Sequence, residues 1–138
     1  MDNRLRPTRS GLFTIELLIA VGVFIFCAAI CLGLFARAET VSAESADLNM
    51  AVNKARAVSE GYKACSGDVS AAAKLYAADE STGCFSVYYD GEWKPVADAA
   101  SASFTLTLSK SGTGALVSVR SADKELVSWP VAALEVAE

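Results

Sequence analysis

From Leu12 to Ala36 the chain is apolar almost without interruption: 25 residues carry one charge, Glu16. As a helix at 1.5 Å per residue this run is about 37 Å long. A bilayer core of about 30 Å needs roughly 20 such residues, so the segment is long enough to span. After Ala36 the pattern turns amphipathic. Val41, Leu48, Val52, Ala55, Val58 and Tyr62 recur at steps of three, four and seven, one face of a 3.6-residue period. No proline or glycine interrupts Arg37 to Lys63 before Gly61. The pattern predicts one helix of about fifty residues, half of it suited to lipid and half amphipathic.

Beyond Cys65 the period changes. "CSGDVSAAAKLYAADESTGC" (65–84) reads as a loop with a short helical turn near Val69 to Ala77. Then "CFSVYYDGEWKPV" places Asp90-Gly91 between apolar stretches, a hairpin signal. "SFTLTLS" alternates Phe104, Leu106 and Leu108 with threonines, so the apolar set faces one side of a strand. "KSGTG" and "SADK" supply the next turns, leading into "ALVSVRS" and "ELVSWPV". The expectation is an antiparallel meander of four or five strands, with Pro130 at an edge or strand end. The amphipathic helix half and the meander each have an apolar face to bury, which predicts an α+β fold with the one packed on the other. Trp93, Tyr88, Tyr89 and Trp129 are expected to be half core and half rim.

Charge sets the direction of the apolar helix. Arg4, Arg6 and Arg9 precede it, whereas Arg37 is followed by Glu39, Glu44 and Asp47. Basic flanks stay cytoplasmic, so the N-terminus is expected inside and residues 37–138 outside. That part has 9 basic and 14 acidic residues, a net charge of −5. Phosphate binding needs a basic footprint, so no direct nucleic-acid partner is expected. The sequence has no histidine, which removes Ser-His-Asp triads and His-containing metal sites. No paired carboxylates stand at a telling spacing, and neither an enzyme, a metal nor a cofactor is expected.

Residues Gly11, Leu12, Phe13, Thr14, Glu16 and Leu17 in "GLFTIELLIAV" carry a resemblance. They are similar to the N-terminal signature of type IV prepilins and pseudopilins, in which a glycine precedes the membrane helix and an acid lies near its start. The resemblance implies that a membrane-bound prepilin peptidase cuts between Gly11 and Leu12 and that the new amine at Leu12 is methylated. Glu16 becomes the fifth residue of the mature chain. Leu12 departs from the phenylalanine most often found first in that family. The family likeness implies three regions: a leader (1–11), a transmembrane and filament-core helix half (12–36) and an exported pilin-like domain (37–138). The implied partners are other pilin or pseudopilin subunits, the peptidase, the membrane, and an assembly platform with its cytoplasmic ATPase. The chain would lie in the cytoplasmic membrane as a single pass, then in an extracellular filament.

Physical chemistry bears on the same residues. An acid at the centre of a membrane helix costs about 2.5–3.5 kcal/mol on insertion scales, less near an end, and still calls for a partner. In a filament the Leu12 ammonium of a neighbour is the implied partner of Glu16, with Phe13 and Thr14 beside it. A plain signal anchor whose Glu16 reaches the interface is the alternative for this residue. Gly33 stands where family members often have a proline; either it loosens the helix or it allows a close helix contact.

Four cysteines form two pairs. Cys65 and Cys84 enclose 18 residues in the exported part. A bridge there would contribute about 3 kcal/mol by loop closure and is the expected arrangement. Cys27 and Cys31 are read as packing residues, with palmitoylation or contact with another subunit as alternatives. A second class of function stays open: "FARAE" holds Ala36-Arg37-Ala38, a small-x-small triplet, and cleavage after Ala38 would release a secreted binding module. A single-pass anchor bearing such a module is the related possibility.

Overall fold

The computed structural model describes residues 9–122 and 124–133. The leader arginines Arg4 and Arg6, the masked turn residue Asp123 and the last five residues lie outside that range, as does the side chain of Arg9. The elements are α1 (Arg9–Ala64), α2 (Val69–Leu75), β1 (Glu80–Ser81), β2 (Cys84–Tyr89), β3 (Pro95–Val96), β4 (Phe104–Ser111), β5 (Gly114–Ser121) and β6 (Glu125–Ala132), with a 3-10 turn at Ala99–Ser101. The fold is α+β. The chain divides into two compact units, Met1–Glu44 and Ser45–Glu138.

The first unit holds the apolar half of α1. Large side chains on every side of it are exposed: Leu18 at 66 %, Phe24 at 75 % and Leu32 at 70 %. A helix apolar all round suits a lipid environment rather than an aqueous one. By length and composition this helix can cross a membrane.

In the second unit the last five turns of α1 pack on the sheet. Ala51, Ala55, Val58 and Tyr62 are fully buried, at steps of four, three and four. Small residues at the first two positions let the helix approach the strands closely. The expected stripe is therefore right from Ala55 onward and displaced before it. Val41 and Leu48 are exposed at 61 % and 43 %, and Ala51 occupies the buried position instead. The helix ends in a left-handed turn: Ser66 and Gly67 have φ of 54° and 79°, and Gly67 N–H donates to Tyr62 O at 3.1 Å. A Cβ on Gly67 would come within 2.7 Å of Ala133, so both backbone and space favour glycine there.

The sheet is wholly antiparallel, with β2, β4, β5 and β6 in sequence order as a meander. Two-residue strands β1 and β3 both flank the outer edge of β2, at Cys84–Phe85 and Tyr88–Tyr89, and bring the count to six. They are too short to leave a periodic signal. Phe85, Val87 and Tyr89, then Phe104, Leu106 and Leu108, then Ala115, Val117 and Val119 line the helix-facing side. The opposite face carries small hydroxyls, including the Ser86–Thr107 pair at 3.0 Å. Strand β6 is the far edge, and Pro130 lies on it, a placement that discourages further strand pairing.

Three aromatic side chains clamp the helix to the sheet. Trp93 Nε1 donates to Asp47 Oδ1 at 3.1 Å, while its ring stacks on Phe104 with centroids 4.0 Å apart. Trp129 Nε1 donates to Ser59 Oγ at 3.2 Å, and Ser59, itself buried, donates to Ala55 O. Tyr76 OH donates to Ala57 O at 2.7 Å and its ring stacks on Phe85. Trp93 and Tyr89 are buried, Trp129 and Tyr88 partly so, close to the expected division.

Candidate functional site

Helix α1 starts at Arg9, which places the Gly11–Leu12 bond in its first turn. That turn lacks the intrahelical acceptors of the interior and contains no acidic residue to offset the positive end of the helix. Glycine lowers helix propensity further, by about 1 kcal/mol against alanine. The bond therefore lies where the helix opens most readily, which a protease needs. Leu12 and Phe13 are exposed at 55 % and 68 %.

Thr14 and Glu16 meet opposite fates. Thr14 Oγ1 donates to Ser10 O at 2.9 Å, one turn back, so its hydroxyl is satisfied within the helix and brings no unpaired donor into an apolar setting. Glu16 is exposed and makes no hydrogen bond or ion pair with any described residue. It stands among Ile15, Leu17, Leu18 and Ile19, all more than half exposed. Cutting after Gly11 would create an ammonium at the positive end of the helix dipole, where a cation is unfavourable. Carboxylate and ammonium thus each lack a counter-charge that the other chemistry could provide.

The Ala36-Arg37-Ala38 triplet lies inside the unbroken α1, with no turn or cap near it. Gly33 is also helical, and nothing lies within 4 Å of a Cβ built on it.

The expected Cys65–Cys84 bridge is absent: both are free thiols. The period of the strand gives the reason. Cys65, at the end of α1, packs against the core, but β2 buries Phe85, Val87 and Tyr89, so Cys84 falls on the opposite face of the sheet. There its Sγ donates to Ser81 O at 2.8 Å within its own turn. A spacing argument sees how many residues separate two cysteines but not which face each occupies.

Elsewhere the second unit offers little chemistry. The largest groove, about 590 Å³, runs along the outer edge of β2 past Tyr76, Asp79, Cys84, Ser86 and Tyr88. It brings no nucleophile against a base. Among the described residues no cluster of Cys, Asp and Glu is placed to hold a metal ion. Burial pushes the phenols of Tyr76 and Tyr89 above their usual range, with Cys65 and Tyr76 respectively adding to the effect. The N-terminal motif was found by sequence; the Asp47–Trp93 contact was not, since 46 residues separate the partners. Comparisons with models of known protein families, with curated proteins and with solved structures found no match.

Proposed function

We propose that this chain is a structural subunit of a type IV pilus-like or pseudopilus filament. It is inserted in the cytoplasmic membrane with its N-terminus inside, cut after Gly11, methylated at Leu12 and assembled through the apolar half of α1. The observation that carries this reading is Glu16: an unpartnered carboxylate on an exposed apolar helix, four residues beyond a scissile glycine. In the membrane the segment is solvated by lipid; in the filament the same apolar surface is solvated by copies of itself. The second unit supplies an exported, acidic, enzymatically inert body. Its binding partners are subunits, the peptidase, and the platform and ATPase that extract the helix from the bilayer.

The test is incorporation into sheared filaments from cells carrying the peptidase and assembly machinery. Glu16→Ala should be cut and methylated as usual yet fall at least tenfold in the filament fraction, with Glu16→Asp recovering part of the loss. Equal incorporation of the alanine variant would contradict the reading.

A further inference from the structure

Building on the filament reading, we infer that α1 packs against the α1 of a second copy in parallel, offset by about four residues, so that Cys31 of one chain lies level with Cys27 of the next. Helix α1 is continuous through Gly22 and Gly33, so angular positions along it can be compared directly. At 100° per residue, Cys27 lies within about 20° of Glu16, Leu34 falls directly in line with it, and Ala20, Val23 and Cys31 lie within about 60°. The acid therefore shares its face with both cysteines and a small alanine. Both thiols are exposed, and no hydrogen bond is seen for either.

A carboxylate in lipid must face a polar partner, and small residues are what allow two membrane helices to approach. Both requirements are met on this one face. The occupant follows from charge: between Leu12 and Ala36 the chain holds no cation, so the partner is the ammonium created at Leu12 of another copy. Pairing Glu16 of one chain with Leu12 of the next sets an axial offset of four residues, about 6 Å. The spacing of Cys27 and Cys31 is also four. The same offset therefore aligns Cys31 with Cys27, and it leaves like cysteines a full turn apart. Such a contact is head-to-tail, using different levels on its two sides, and it continues from copy to copy rather than closing as a dimer.

The test is mild oxidation with copper phenanthroline of filaments and membranes carrying the full chain with Cys65→Ala and Cys84→Ser. Each disulfide formed releases two protons and passes two electrons to the copper reagent. The expected product is a ladder of dimers, trimers and higher species, abolished by Cys27→Ala alone and by Cys31→Ala alone. A dimer that persists in either single variant would show like cysteines in register and overturn the offset. Absence of links in filaments whose chains begin at methylated Leu12 would overturn the contact while leaving the filament reading intact. Chains that retain residues 1–11 would overturn both. Glu16→Ala in the membrane fraction should lose the ladder as well, which a chance encounter of exposed thiols would not do.

Discussion

Two stretches of one helix obey the same geometry and solve opposite problems. Between Leu12 and Ala36 the side chains are apolar on all sides and exposed. Between Ala51 and Tyr62 only one stripe is apolar, and it is buried, with Lys54, Arg56 and Glu60 off it. The second stretch is stabilised by area withdrawn from water onto the sheet. The first can gain that stabilisation only from lipid or another chain. What differs is the source of the apolar surroundings, internal in one case and external in the other. Glu16 belongs to the stretch that must look outside itself, which is why its counter-charge has to be sought there too.

Substitutions sharpen this contrast. Leu106→Ala, beneath the helix, should cost about 2–5 kcal/mol in denaturant unfolding of the detergent-solubilised chain followed by tryptophan emission. Leu32→Ala, exposed on the same helix at 70 %, should leave that transition unchanged. Equal losses from both would break the comparison. Val23→Arg should reverse the pattern: about 2.5–3.5 kcal/mol against membrane insertion, read as loss from the alkali-resistant membrane fraction, with the unfolding midpoint unmoved.

Smaller effects test the clamps. Asp47→Ala removes the acceptor for Trp93 Nε1 and should lower stability by about 1 kcal/mol, with a shift in Trp93 emission. Stability of the second unit should also fall as pH rises above about 10. Tyr76 and Tyr89 hold their protons more tightly folded than unfolded, so their contribution is complete below the unfolded value of about 10 and is lost as pH climbs through the folded ones. Tyr76→Phe should flatten that decline. The smallest effect belongs to Cys84→Ser, expected within 0.5 kcal/mol because the thiol lies on the outer face and bridges nothing. A loss of several kcal/mol, or a reductant-sensitive midpoint in the parent chain, would restore the bridge.

Elements with strong periodicity were legible in the sequence. The α+β class, the long helix, α2, the β2–β4–β5–β6 meander and the turns at Gly112 and Ser121 follow from spacing and turn chemistry. The Asp90-Gly91 signal did mark a hairpin, although its loop extends to Lys94, with Asp90 N–H donating to Lys94 O and Trp93 at φ 62°. That backbone conformation is set by the stacking of Trp93 on Phe104, a tertiary contact that local residues do not announce. The same limit explains Cys65 and Cys84, where strand phase decides, and Val41 and Leu48, which continue a stripe past the residues the sheet covers. The candidate site needed no tertiary information for its position, since Gly11, Leu12, Phe13, Thr14 and Glu16 are consecutive or nearly so. Its unpartnered state became visible only with coordinates.

The most direct measurement is the intact mass and N-terminal peptide of the protein recovered from its native membrane or from sheared filaments. The account predicts a chain that begins at Leu12 and carries one methyl group on its amine. A chain that begins at Glu39, or one that keeps residues 1–11 in assembled material, would contradict it.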